Sequence, residues 1–216
     1  MPIPLGLSPF KLPGFDPILE TEPTAARLQV LEIGIFRMYR RFPYPLGSAL
    51  VQQAASFAFD KHRNQRRKGP KQLPYFVHPL EVAVTLSWAW QDEYTVAAGF
   101  LHDVVEDCDV DPQEIANLFG NRVAYLVAQV TNVTKKGDGN RAERQARERE
   151  HLSQAWGEAR NIKLADVMCN ARDIVTDEPA FAPTYLAEKR LLLPEIRIGS
   201  HPVLYGLACQ AVGLAA

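Results

Sequence analysis

The chain has 216 residues, with 24 Lys/Arg against 25 Asp/Glu, and the net charge of −1 argues against a general nucleic-acid binder. Its 47% hydrophobic content suffices for the core of one domain with extensions, but no run approaches the ~18 consecutive apolar residues of a membrane span. Three well-separated cysteines, Cys108, Cys169 and Cys209, form no CxxC and read as reduced thiols of a cytosolic protein.

Residues 1–23 contain six prolines and read as an extended N-terminal arm. They lack the basic and then apolar regions of a secretory signal, so a cytoplasmic location is expected. Helical periodicity follows over 24–40, with Leu28, Leu31, Ile35 and Met38 on one face. A second helix is predicted over 46–68, with Ser48 as N-cap and Gly69-Pro70 as its end. Its C-terminal part lies in a basic run, 61–71, that holds six Lys/Arg and no acid. Alone, such a run is the solvated end of a helix.

After Pro74 a helix is predicted to begin near Pro79, because proline suits a first turn. The next spans about 93–107. Asp111-Pro112-Gln113-Glu114 reads as a helix start, with Asp111 as N-cap and Pro112 at the first helical position. Ile115, Phe119, Val123, Leu126, Val127 and Val130 continue it at helical spacing. A polar loop with two glycines covers 134–142, an exposed helix 141–156, and another helix 157–175. The prolines at 179, 183, 194 and 202 divide the remainder into short helices. No run alternates as a strand, so the fold is all-α.

The stretch "AGFLHDVVEDCDVD" carries the chemistry. On a continuous helix His102 and Glu106 are i,i+4 neighbours, as are Asp103 and Asp107, and all four share one side. Ala97, Ala98, Leu101, Val104 and Val105 fall on the other. Clustered carboxylates repel unless something positive sits among them. The stripe therefore calls for a metal, a cationic substrate pocket, or both.

Four candidate metal ligands lie in three segments: His78 in "YFVHP", the His102–Asp103 pair, and Asp166 in "IKLADVMCN". Imidazole and carboxylate together suit a borderline or hard divalent ion such as Mn, Fe or Zn. Singly, His78 is the common core histidine and Asp166 a common cap or ion-pair residue. Glu106 and Asp107, one turn beyond the His–Asp pair, are placed to shuttle protons. Asn170 and Asp173 follow Asp166 at i+4 and i+7, and Lys163 precedes it at i−3. Arg67 and Lys68 suit phosphates, and a short loop could return them over the site. His62 reads as structural or as support for the ligands. His151, His201, Met168 and the tryptophans read as surface or packing residues.

Three blocks, "HRNQRRKGPKQLPYFVHPLEVA", "AAGFLHDVVEDCDVDPQEIANLFG" and "KLADVMCNARDI", together resemble the HD-domain hydrolase module of the RelA/SpoT homologues. The length is similar to that of the stand-alone small alarmone hydrolases, the Mesh1-like enzymes, and leaves no room for a synthetase domain. The resemblance covers about residues 50–175. It implies an HD-domain helical bundle, which we read as residues 24–178; the tail over 179–216 lies outside the resemblance and is expected as a helical extension packed on that domain. The resemblance also implies one Mn ion and removal of pyrophosphate from the 3′ position of (p)ppGpp. By motif, the metal ligands are His78, His102, Asp103 and Asp166, and the catalytic acids Glu106 and Asp107. The family's substrate contacts fall on Arg67, Lys68 and Asn170; Lys163 is added to them from its place on the Asp166 face of the helix, not from the motif.

Two positions depart from the family pattern. The loop "VTKKGDGNRAERQ" carries glycines where relatives are more lysine- and proline-centred. Cys169 stands where relatives usually have Tyr or His, which bears on base stacking. Adenine alarmones, (p)ppApp, stay open as substrates, as does a homo-oligomer. The partner expected is a nucleotide alarmone, with no nucleic acid and no membrane. The alternatives are another HD-type nucleotide phosphohydrolase, such as a 5′-nucleotidase or phosphodiesterase, and a non-catalytic nucleotide sensor.

Overall fold

A computed structural model describes residues 45–70 and 72–215. The arm over 1–23 and the helix predicted over 24–40 lie outside the described residues. Within them the chain is all-α: two isolated bridges, Arg66 with Pro74 and Gly137 with Gly139, are the extended pairings. No helix among the described residues is long and apolar enough to cross a membrane.

Helix α1 (Ala49–Lys61) starts as its sequence dictates: the Ser48 side chain accepts from Val51 N at 3.2 Å. It ends seven residues before the predicted limit. His62 caps it with its ring turned inward, 1% exposed, and the chain doubles back. Arg67 N bonds Leu73 O at 2.8 Å and Tyr75 N bonds Gln65 O at 3.0 Å, so the basic run is a closed loop rather than a helix end. These cross-loop bonds satisfy the backbone as well as a helix would, and local propensity could not reveal them.

Helices α2 (Val77–Trp88) and α3 (Glu93–Leu101) are buried on nearly every side and pack on each other. Pro79 sits in the first turn of α2, and the Asp92 side chain caps α3 by accepting from Thr95 N at 2.9 Å. α3 also packs on α1 and is therefore central. The predicted helix over 93–107 is interrupted: α3 stops at Leu101, and a separate single turn, α4 (Val104–Asp107), follows the His102–Asp103 pair. The helix that starts at Asp111–Pro112 is likewise two, α5 (Pro112–Phe119) and α6 (Asn121–Val130), because Gly120 adopts a φ of 85°, which ends the first.

Helix α7 (Arg141–Ser153) opens with a capping box between Asn140 and Glu143. The 21-residue α8 (Gly157–Asp177) packs against α2, α3 and α6 on one side. It also meets α9 (Ala182–Leu192) and α10 (Pro202–Val212), and a 3₁₀ turn, Leu193–Ile196, leads on from α9. Leu80, Leu86, Phe100, Leu101, Leu126, Ile162 and Leu164 form the fully buried centre.

Gly99 fixes how closely α3 can approach α2. A Cβ there would stand 2.6 Å from Leu86 Cδ1, and Leu86 is fully buried. Gly99→Ala is expected to cost about 1–3 kcal/mol, the usual penalty of overpacking, read as a lower midpoint in thermal melting. An unchanged midpoint would mean that the Leu86 side chain moves aside freely.

Candidate active site

The break between α3 and α4 is what builds the site. His102 closes the last turn of α3, and its Nδ1 donates to Gly99 O at 2.8 Å. That bond fixes the ring orientation and leaves Nε2 facing the cluster. Nε2 stands 3.2 Å from His78 Nε2, which comes from the first turn of α2. Asp103 Oδ2 lies 3.1 Å from His102 Nε2 and 3.5 Å from His78 Nε2. Asp166 Oδ1, from the middle of α8, lies 3.2 Å from His78 Nε2 and 3.9 Å from His102 Nε2. His78, His102 and Asp103 each offer a ligand atom within 4.8 Å of the others.

Three buried elements thus aim two imidazole nitrogens and two carboxylate oxygens at one point. The electrostatics show that this point favours positive charge. Burial opposes a charged His102, but the adjacent Asp103 carboxylate outweighs it and lifts the group to about 9. Burial would raise Asp103 and Asp166. Instead His102 pulls Asp103 well below the carboxylate range, and Lys163, with Nζ 2.8 Å from Oδ2, does the same to Asp166. A divalent cation fits such a donor set in charge and in ligand chemistry.

The supporting residues include several that the sequence did not single out. Tyr75 donates its hydroxyl to Asp103 Oδ2 at 2.7 Å and stacks on His62 at 4.7 Å. His62 Nδ1 is 2.6 Å from Gln65 Oε1, and Gln65 Nε2 donates to Asp107 O at 2.6 Å. His62 therefore supports the site rather than joining the ligands, as expected from its position.

Glu106 and Asp107 lie on the α4 turn at the solvent-facing edge of the cluster. The break between α3 and α4 means that they are not held there by a continuous helix. Asn132 does this for Glu106: its backbone N–H donates to Oε1 at 2.6 Å, and its side-chain amide donates to Oε2. Partial burial raises the Glu106 carboxyl against the pull of Asn132 and Lys163, while partial burial and the Asp103 charge raise Asp107. Both directions favour groups that exchange protons near neutrality.

The loop after α1 delivers Arg67 to the opposite side. Its Nη2 donates to Asp173 Oδ2 at 2.7 Å and to Asn170 Oδ1 at 3.2 Å. Asn170 Nδ2 in turn donates to Asp166 Oδ1 at 2.5 Å. Behind Asp173, Arg172 grips Glu81 of α2 at 2.6 and 2.7 Å and bonds Asp173 Oδ1 at 2.9 Å. A chain of paired charges thus runs from the core to Arg67. Lys68 is not brought into this group: its side chain is 81% exposed and reaches Glu178 at 3.6 Å. Cys169, although next to Asn170, is 5% exposed and joins the core. His201 caps α10.

A family model described as HD domain matches residues 54–191. The chain is 38% identical over 129 residues to the Danio rerio protein named guanosine-3′,5′-bis(diphosphate) 3′-pyrophosphohydrolase MESH1, across 59% of this chain and 70% of that one. The Homo sapiens protein of the same name is 38% identical over 133 residues, across 60% of this chain and 73% of that one. A Synechocystis protein named probable guanosine-3′,5′-bis(diphosphate) 3′-pyrophosphohydrolase is 40% identical over 128 residues, only 17% of its own length. Among solved structures, one described as "A metazoan ortholog of SpoT hydrolyzes ppGpp and plays a role in starvation responses" superposes with a TM-score of 0.69 at 31% identity. It covers 78% of this chain and 96% of that one. With its buried histidine–aspartate cluster, its helical architecture and these matches, the chain belongs to the HD-domain hydrolases, in their small alarmone hydrolase, Mesh1-like branch.

Proposed function

We propose that the chain is a metal-dependent 3′-pyrophosphohydrolase of nucleotide alarmones, acting on (p)ppGpp and open to (p)ppApp. The observation that carries this reading is the convergence of His78, His102, Asp103 and Asp166 beside a separate acidic pair. It occurs in a chain whose relatives are named for this reaction. His78, His102, Asp103 and Asp166 would hold one divalent ion, Mn(2+) in our reading. That ion supplies Lewis acidity at a phosphoryl oxygen and makes water easier to deprotonate.

The chain's own residues do the rest. Asp107 and Glu106 stand at the open edge, where water attacks the 3′-linked phosphorus in line. One carboxylate takes the water's proton, and the bond from phosphorus to the 3′ oxygen breaks. The leaving oxygen is protonated from the same pair, so pyrophosphate and GDP or GTP leave (ADP or ATP for an adenine substrate). Arg67, anchored by Asp173 and Asn170, offsets the charge of the diphosphate. Lys163 keeps Asp166 ionised. Tyr75 orients Asp103.

Incubation with ppGpp and with ppApp in Mn, with products separated by chromatography, tests this. Pyrophosphate together with the nucleoside 5′-diphosphate, GDP or ADP, is expected. Orthophosphate would indicate another HD phosphohydrolase, as would turnover of a cyclic nucleotide supplied in place of the alarmone, and tight binding without product a sensor.

The anchoring of Arg67 gives a sharper expectation. Both of its contacts run through Nη2, which leaves the rest of the planar guanidinium fork to grip phosphate oxygens at two points, as a lysine ammonium cannot. Arg67→Lys is expected to lower kcat/KM roughly 10- to 100-fold, the scale of one charge-assisted hydrogen bond. Arg67→Ala is expected to lower it further. An equal effect of Arg67→Ala on the binding of alarmone and of plain nucleoside diphosphate would place Arg67 away from the 3′-diphosphate.

A further inference from the structure

Helix α7 is polar along most of its length, and its buried residues are Glu148 and Leu152. Leucine at such a position is packing. A carboxylate that is 6% exposed is not, because a buried charge costs free energy unless donors surround it. The donors to Glu148 all come from the segment that follows α6. Val133 N–H donates to Oε2 at 3.0 Å, and Thr134 donates its N–H and its hydroxyl to Oε1 at 2.9 and 2.5 Å.

The same segment holds Glu106. Asn132 N–H donates to Glu106 Oε1 at 2.6 Å, and the Asn132 side-chain amide donates to Oε2. Three consecutive backbone N–H groups, those of Asn132, Val133 and Thr134, are thus divided between two carboxylates. Thr131 ends α6 with extended backbone, so no helix fixes these three amides. The carboxylates do. Peptide planes are rigid, so a shift of residues 133 and 134 carries the Asn132 N–H with it. Glu106 follows, because the single turn α4 does not hold it on a longer helix.

We propose that Glu148 is a positioning residue for the reaction: through residues 132–134 it sets where the Glu106 carboxylate stands. This rests on the proton-transfer role given to Glu106 above. The position requires a carboxylate and not just a polar group of that size. Both Glu148 oxygens accept backbone N–H groups. Glutamine has one accepting oxygen, so whichever way its amide turns, the N–H of Val133 or of Thr134 loses its acceptor. The segment then relaxes, and Asn132 no longer presents the same N–H to Glu106.

The test is steady-state pyrophosphate release from ppGpp in excess Mn, well below the melting midpoint, for Glu148→Gln, Glu106→Gln and the double variant. Glu148→Gln is expected to lower kcat roughly 10- to 100-fold, the scale of a misplaced reacting group, with KM and bound metal near wild type. In the Glu106→Gln background the same change should cost about twofold or less, since the carboxylate that it positions no longer carries protons. Equal losses in the two backgrounds would mean general damage and overturn the proposal. A folded Glu148→Gln variant with wild-type kcat, or one that loses only in KM, would overturn it too. Wild-type kcat in Glu106→Gln alone would remove the proton-transfer role, and the positioning with it. Thr134→Val serves if Glu148→Gln does not fold. It deletes one donor to Oε1, keeps both backbone bonds, and should lower kcat roughly 2- to 10-fold, the scale of one hydrogen bond. Thr134→Ser keeps the hydroxyl and should lose less. If the two Thr134 variants turn over alike, the grip of Glu148 on the segment does not set the site and the proposal fails.

Discussion

Replacing His102 or Asp103 by alanine is expected to abolish pyrophosphate release and to remove the part of thermal stability that depends on added metal. Each side chain faces the point where the cluster converges, with His102 Nε2 and Asp103 Oδ2 only 3.1 Å apart. Removing either takes away a ligand atom and half of the pairing that sets the charge of the site. An ion that binds only the folded chain stabilises it by mass action, about 2.7 kcal/mol at a hundredfold excess over its Kd. For a chain of this size that corresponds to a rise of roughly 5–10 °C in the melting midpoint. The measurement is melting in excess Mn and in chelator. The wild type should show the shift and either variant should lose it. The chelated wild type serves as reference, because Asp103→Ala also removes the acceptor of the Tyr75 hydroxyl. Full activity of the wild type after exhaustive chelation would take the metal out of the mechanism.

The candidate ligands stand out in the sequence because their chemistry is local. A histidine–aspartate pair within an apolar run, and a second aspartate within another, are unusual where simple packing would place leucine or alanine. The helices around them were readable for the same reason: Ser48, Asp92 and Asp111 cap α1, α3 and α5 through their own side chains. The interruption after Leu101 was not readable. Apolar periodicity runs unbroken through His102 and Asp103, and the bend reflects two side chains turned toward partners on α2 and α8. Nor could periodicity show that the basic run closes into a loop, since the bonds that hold it join Gln65 to Tyr75 and Arg67 to Leu73. The remaining omissions are also long-range. Asn132 follows α6 and reaches Glu106, 26 positions earlier. Glu81 and Arg172 meet across 91 positions to back the Arg67 anchor. Neither pair leaves a spacing signature: one depends on how α4 meets the segment after α6, the other on how α2 packs on α8.

Glu106→Gln separates the chemistry from the metal. Glu106 stands outside the cluster of His78, His102 and Asp103, and its carboxylate is held by Asn132 through both oxygens. Glutamine keeps the length and one accepting oxygen, so the side chain can still bond the Asn132 backbone N–H. Its amide cannot take a proton from water or return one to the 3′ oxygen. Burial already raises the Glu106 carboxyl from its ordinary value, which brings it closer to the range where such exchange is efficient. The expected result is a loss of roughly 10²–10⁴ in kcat, the scale of a positioned acid or base, with bound metal near one equivalent and KM little changed. Asp107 stays in place and can carry part of the proton traffic, which favours the lower end of that range. Metal content measured on the same preparation decides the assignment. If Glu106→Gln loses the ion as well as the activity, Glu106 is a ligand, and the proton-transfer role falls to Asp107 alone.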